Sequence, residues 1–362
     1  MSAPLGLAVV GTNWISNSFV QSCHESKLFE LTAVFSRKLA TARKFISETP
    51  SIRDVLAIEV FDSLDNMLFE GSKIDVVYIA SPNSLHFEQG IKALDAGKHV
   101  IIEKPFASNV KEQEELYKLA DLKDLFILEA YRHIQEPNFK TLQRLLDDEN
   151  VRTKMFGKIY GASLSMAVYS SDFGEITDTH IPNVASPDFS GGCLWDMGCY
   201  AITFALRLFG KPTSQTYFPV VLKTGVDGGG LIVLEYTPET SKHKQNFVVQ
   251  ARSSKIYDSY APTEIYCEKG TIKIAGAQSS NVTDICSIGF IPRGSGNSKQ
   301  LGHVEPEFAG MLNLTWEARE LGRIIKKRDR KAEADLRALS RDVLVVMEDM
   351  RKKNGIVFGS EF

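Results

Sequence analysis

The apolar positions of the first 130 residues come in short unbroken runs, separated by amphipathic segments. Leu5 to Val10, Leu31 to Phe35, Glu59 to Phe61, Asp75 to Ala80, His99 to Ile102 and Leu125 to Leu128 read as strands. Between them, apolar residues at helical spacing predict helices ending near Ser26 and spanning Ala40 to Ile46, Leu64 to Glu70, Leu85 to Ala96 and Lys111 to Leu122. Asp62 or Ser63 and Asn109 stand where N-caps belong, and Gly97 closes the fourth helix. Strands without polar alternation need cover on both faces, so the alternation of strand and helix predicts a doubly wound parallel sheet. Ligands of such sheets bind beyond the carboxyl ends of the strands. Ser81-Pro82-Asn83 and Glu103-Lys104-Pro105 both fall at that edge.

The pattern changes after Arg132. A helix opens at Pro137 and runs to Leu146; beyond Gly157 the strands lengthen and alternate. Ile159 to Val168, Thr216 to Lys223, Gly230 to Thr237, Asn246 to Arg252, Thr263 to Cys267 and Thr271 to Ile274 fit an antiparallel sheet, with Glu268-Lys269-Gly270 as a hairpin turn. One helix, Leu194 to Phe209, interrupts them; Gly191-Gly192 leads into it, and Gly210 and Pro212 stop it. Two helices, Phe308 to Arg328 and Asp335 to Lys353, precede a final short strand, Ile356 to Phe358. The expected domains are residues 1–125 and 126–362, with the last helices packing back on the first.

Composition narrows the function classes. Hydrophobic residues make up 43% and charged residues 24% of 362 positions, as in soluble globular proteins. A net charge of −3 leaves no electrostatic footprint for nucleic acid or an anionic membrane. The five scattered cysteines form no CxxC pair, and the histidines lack metal-ligand spacing, so neither a disulfide framework nor a metal site is expected. The start shows no basic region before its first strand, and no apolar run has bilayer length, which fits a cytoplasmic protein.

Chemistry concentrates at strand ends. Gly11-Thr12-Asn13-Trp14-Ile15-Ser16 has one glycine of a dinucleotide fingerprint, with Asn13 and Ser16 where the others would stand. Gly11 is either that turn or an ordinary turn residue; Asn13 is expected to tolerate positive φ. After the second strand, Ser36-Arg37-Lys38 offers two cations and a hydroxyl, where an NAD site wants a carboxylate. This suits a 2′-phosphate and favours NADP over NAD, against the alternative of a solvated helix start. Lys104, ending a buried strand, is a candidate proton donor or charged electrophile, or else snorkels outward. Asp196 and Tyr200 share a helix face at i and i+4. They either bind and protonate a substrate oxygen or form a core tyrosine and a helix-dipole carboxylate. His86 is within reach of a cofactor, though a surface histidine is the plainer reading.

With the Gly11 turn, Ser81-Pro82-Asn83…His86, Glu103-Lys104-Pro105 and Gly191-Gly192…Asp196…Tyr200 in one order, the chain resembles the Gfo/Idh/MocA oxidoreductases. The resemblance implies an N-terminal Rossmann domain and a C-terminal α/β domain whose open sheet builds a homodimer or dimer of dimers. It implies Lys104 as catalytic lysine, Asp196 as substrate-binding aspartate and Tyr200 as acid/base, with Lys104 itself as the alternative proton carrier. Tyr200 stands where many members have histidine, which resembles the glucose–fructose oxidoreductase and dihydrodiol dehydrogenase branch, as does Glu129-Ala130-Tyr131-Arg132. The cofactor would be held by Gly11, Thr12, Asn13, Trp14, Ile15, Ser36, Arg37, Lys38, Ser81, Pro82, Asn83, His86, Glu103, Lys104 and Arg132. The reaction would be hydride transfer between a nicotinamide and a secondary alcohol of a sugar, polyol or cyclic diol. The alternative is a regulator of the same fold that binds the dinucleotide without turnover.

Overall fold

The computed structural model describes residues 3–276, 281–303 and 310–361. The chain forms two compact units, Met1–Arg132 with Gly310–Arg341, and His133–Ala309 with Asp342–Phe362.

The first unit alternates β1 (Leu5–Val10), α1 (Trp14–Ser26), β2 (Phe29–Phe35), α2 (Leu39–Glu48), β3 (Glu59–Phe61), α3 (Leu64–Glu70), β4 (Val76–Ile79), α4 (His86–Asp95), β5 (His99–Glu103), α5 (Val110–Leu122) and β6 (Ile127–Ala130). All six strands are parallel, in the order β3-β2-β1-β4-β5-β6. The chain order reverses between β1 and β4, the place where such sheets bind dinucleotides. Register brings the strand ends level: Val10 pairs with both Phe35 and Ile79, Ile79 with Ile102, and Ile102 with Glu129. Gly11, Ser36, Ser81 and Lys104 therefore emerge along one edge.

Beneath that edge Phe19 of α1 stacks on Tyr78 of β4, with centroids 4.0 Å apart. Burying each such ring is worth roughly 1.5–3 kcal/mol. The helix α10 (Thr315–Lys327) packs on α1, and α11 (Arg330–Lys353) begins beside β6. There Arg330 lies over Phe126 at 3.8 Å, and Glu333 accepts from the Ile127 amide at 3.3 Å, covering an otherwise open sheet edge.

The second unit contains α6 (Pro137–Asp147), α7 (Glu149–Met155), β7 (Ile159–Ala167), the one-turn α8 (Ser171–Gly174), α9 (Cys199–Phe209) and seven further strands. These are β8 (Ser214–Val221), β9 (Asp227–Tyr236), β10 (Phe247–Ser254), β11 (Thr263–Cys267), β12 (Gly270–Gly276), β13 (Ile285–Pro292) and β14 (Lys299–His303). The eight-stranded sheet runs β14-β13-β12-β11-β7-β10-β9-β8, antiparallel except for the β7–β10 pair. One face, with Leu164, Ile232, Val249 and Ala251, is buried, and α9 packs against β7 and β10. The other leaves Phe218, Val220, Val248 and Tyr266 exposed.

Several sequence expectations are corrected. β6 lies two residues later than expected, because Glu129 is a buried strand residue with internal partners rather than a strand end. Ile356 to Phe358 is irregular, not a strand; its alternating burial comes from Phe358 packing edge-on against Trp195 at 5.0 Å. β13, β14 and α7 lie outside the expected elements; the only buried residue of α7 is Arg152, so it shows no apolar stripe. The start of the second-last helix, expected at Phe308, falls outside the described residues, and α10 begins at Thr315.

Candidate active site

The turn after β1 is built by two residues. Gly11 has φ +103°, and a Cβ there would stand 2.6 Å from the Ala80 carbonyl oxygen, so only glycine lets β1 and β4 close up. Asn13, at φ −85°, does not use positive φ; it is the N-cap of α1. Its Oδ1 accepts from the Ser16 amide and hydroxyl, each at 3.0 Å, and its Nδ2 donates to the Ala80 carbonyl at 2.9 Å. Asparagine thus replaces a fingerprint glycine by tying the turn to β4. Thr12 and Ile15 are half-buried and the Trp14 indole is exposed at the first turn of α1. A helix N-terminus of this kind attracts phosphate through its unpaired amides and its dipole.

Beyond β2 the Ser36 amide donates to the Phe61 carbonyl at 3.1 Å. Arg37 and Lys38 are exposed and, among the described residues, in no ion pair. The Gly11 cradle, the α1 N-terminus and these cations fit a dinucleotide carrying a 2′-phosphate.

At the end of β4, Ser81 Oγ donates to Gln89 Oε1 at 2.6 Å, and Pro82 and Asn83 lead into α4. His86 is buried, correcting the surface reading. Its Nδ1 lies 3.0 Å from the Pro105 carbonyl and its Nε2 2.9 Å from the Ser81 carbonyl. Burial pushes its pKa down to about 4, so the ring is neutral and has a single N–H to donate to one of these two carbonyls, while it packs between the β4 and β5 ends.

Glu103 is also turned inward. It accepts from the Tyr78 hydroxyl at 2.6 Å and the Lys104 amide at 3.1 Å. Burial raises its pKa, and the Lys104 charge opposes the rise. Lys104 follows directly, its backbone held by that carboxylate. Arg132, just past β6, carries a charge that acts on Glu103 and on Glu317. Glu317, on α10, is buried with no hydrogen-bond partner for either oxygen among the described residues. Burial and then the Glu103 charge push its pKa well above the usual carboxylate value.

Glu129 is another buried acid of this unit, accepting from the Phe106 amide at 2.9 Å and from the Ser340 hydroxyl. Burial pushes it up to about 8. A folded-state value above the unfolded one means the native protein holds a proton that the unfolded chain has released. Its contribution therefore falls as pH rises from about 4.5 to about 8, by ~1.4 kcal/mol per unit. Glu129→Gln is expected to remove that slope in urea unfolding across this range; an unchanged slope would place the titration elsewhere.

In the second unit, Gly192 (φ +113°) feeds a π-helical turn, Leu194–Gly198, before α9; this wider turn corrects the expected continuous α-helix. A Cβ on Gly192 would stand 2.6 Å from Asp227 Oδ1. Asp227, buried, accepts from the Leu194 amide at 2.7 Å and the Tyr217 hydroxyl at 2.6 Å. Burial raises its pKa to about 6 against those bonds. Asp196 lies on the π turn and is ion-paired with Lys255, which follows β10. Tyr200 is buried on the first turn of α9, its ring 5.0 Å from that of His133 in an edge contact.

The first unit thus gathers Gly11, Ser36 to Lys38, Ser81 to Asn83 and Lys104 at one sheet edge; the second pairs Asp196 with Lys255 and Tyr200 with His133. Lys255, Asp227 and Glu317 are absent from the sequence reading. Lys255 follows the half-polar run Phe247–Ser254, beyond the expected strand end at Arg252, and so lacked the signal that marked Lys104. Asp227 stood before three glycines, and Glu317 carried no signal.

Residues 5–131 match the oxidoreductase family with an NAD-binding Rossmann fold, and residues 145–273 match the GFO/IDH/MocA C-terminal domain. The chain belongs to the Gfo/Idh/MocA oxidoreductase family. As a Gfo/Idh/MocA protein it is an NAD(P)-dependent oxidoreductase. It is 33% identical, over 98% of both chains, to scyllo-inositol 2-dehydrogenase (NADP(+)) of Bacillus subtilis (strain 168). It is 26% identical to trans-1,2-dihydrobenzene-1,2-diol dehydrogenase of Danio rerio, over 92% of this chain and 91% of that one. A 3-ketoreductase from Actinomadura kijaniata, solved with NADP, shares the fold with a TM-score of 0.73 at 18% identity, covering 96% of this chain and 97% of that one.

Proposed function

We propose that this protein is an NADP-preferring dehydrogenase or reductase acting on a secondary alcohol of a sugar, polyol or cyclic diol. The observation that carries this reading is the level edge of the parallel sheet, which presents Gly11, Arg37 and Lys104 along one line. The Bacillus subtilis and Danio rerio relatives, named for a cyclic polyol and a cyclic diol, support the substrate class.

Gly11, Thr12 and the amides of Trp14 and Ile15 would take the pyrophosphate, with Asn13 setting the turn. Ser36, Arg37 and Lys38 would bind the 2′-phosphate, and Ser81, Pro82 and Asn83 would line the nicotinamide end. The bound nicotinamide supplies hydride transfer; the protein supplies position and proton management. Asp196 orients the substrate hydroxyls. Tyr200 exchanges the proton of the reacting oxygen, with Lys104 as the alternative proton carrier. Glu103, His86 and Arg132 act from beneath by fixing and charging the Lys104 strand end. We further propose a cytoplasmic homodimer or dimer of dimers built on the exposed sheet face with Phe218, Val220, Val248 and Tyr266.

Tyr200→Phe tests the proton assignment. The expected result is a fall in kcat of about a hundredfold with NADP⁺ affinity intact. Near-normal turnover removes the tyrosine from the mechanism and leaves Lys104 as the proton carrier.

A further inference from the structure

Lys255 is held more firmly than a surface lysine. Its amide donates to the Gly228 carbonyl and its carbonyl accepts from the Ser170 amide, each at 2.9 Å. Its side chain is only 10% exposed, while Asp196, its ion-pair partner, is 23% exposed. The ammonium lies 5.4 Å from the Phe173 ring centroid, where a cation is stabilised by the ring face. Withdrawing such a pair from water offsets most of its attraction, so stability alone gives little reason for it. The exposed Tyr169 and Tyr257 stand on the two adjoining segments: Tyr169 is followed by Ser170, which is bonded to Lys255, and the Tyr257 amide donates to Ser254 Oγ at 3.0 Å.

An unpaired aspartate in a substrate site attracts amines and repels acids. Asp196 is not unpaired: the Lys255 charge cancels its own within hydrogen-bond reach. The two groups together present a carboxylate acceptor and an ammonium donor side by side, the complement of two neighbouring hydroxyls. We infer that Lys255 is a specificity-determining residue that fits this site to uncharged polyhydroxylated rings and discriminates against their amino derivatives, an inference that rests on the polyol reading above. A substrate ammonium would gain nothing from the neutralised carboxylate and would meet the lysine charge.

The test uses the full chain loaded with NADP⁺, with scyllo-inositol and its singly aminated analogue scyllo-inosamine as probes. Affinity is measured by calorimetry and turnover by nicotinamide absorbance. The wild-type protein is expected to bind the inosamine at least about tenfold more weakly than scyllo-inositol. Lys255→Met is expected to weaken scyllo-inositol about tenfold, with the loss falling on KM more than on kcat, and to reverse the preference toward the amine. Lys255→Arg, which keeps the charge, is expected to keep the preference for the neutral ring, and it decides the matter should the methionine variant fail to fold. Unchanged affinity and discrimination in Lys255→Met, or amine preference in Lys255→Arg, overturns the role of Lys255 alone. Tight NADP⁺ binding with neither ring bound nor turned over by the wild type overturns the polyol reading itself.

Discussion

Replacing Lys104 with methionine is expected to lower kcat by about a thousandfold while changing NADP⁺ affinity less than about threefold. The expectation follows from how the lysine is placed. β5 is buried between β4 and β6, and Ile102 is paired on both sides, so the strand end is rigid. The Glu103 carboxylate holds the Lys104 amide at 3.1 Å and is itself held by Tyr78, which Phe19 stacks against. The buried His86 ring packs against the next carbonyl, that of Pro105, at 3.0 Å. The fold thus builds a support of buried groups under one cation. Methionine matches the length of the side chain without its charge or donors, and it leaves Gly11, Arg37 and the start of α1 intact. Steady-state kinetics and a fluorescence titration of NADP⁺ check the two halves of the prediction, with the exposed Trp14 as reporter. Near-normal kcat would relieve Lys104 of a chemical role.

The second large effect concerns the cofactor. Ser36→Asp combined with Arg37→Leu is expected to shift the ratio of kcat/KM from NADP⁺ toward NAD⁺ by about a hundredfold or more. Ser36 is the first residue past β2 and its amide is pinned to Phe61 at 3.1 Å, so a carboxylate there has a defined position. It would accept from ribose hydroxyls and repel a 2′-phosphate. Arg37 is exposed and in no ion pair among the described residues, so removing it disturbs no internal contact. An unchanged ratio would mean that the 2′-phosphate lies elsewhere.

The parallel sheet was legible because its strands are unbroken apolar runs, and the lysine at the end of one of them marked the edge. The reading failed where a polar residue serves the interior. Glu129 reads as the end of a strand, yet it lies inside one because Phe106 and Ser340 satisfy it. Asn13 reads as a defective glycine, yet its side chain makes three hydrogen bonds that a glycine cannot. His86 reads as a surface residue, because nothing in the sequence shows the two carbonyls that enclose its ring. Long-range partners were the other blind spot. Lys255 lies 59 positions from Asp196, and Asp227 lies 33 from the helix start it caps. Only the pairing of β9, β10 and the π turn makes either pairing visible. The alternation at Ile356 to Phe358 misled for a different reason: an irregular segment that tucks Phe358 against Trp195 buries alternate residues just as a strand does.

The most direct measurement is the appearance of reduced nicotinamide when the wild-type protein is mixed with NADP⁺ or NAD⁺ and a panel of inositols, aldoses and cyclic diols, with the Lys104→Met protein alongside. The expected result is hydride transfer from at least one panel member, faster with NADP⁺ than with NAD⁺ and lost in the methionine protein. Tight NADP⁺ binding without reduction by any panel member would contradict it and turn the reading toward a dinucleotide-sensing protein.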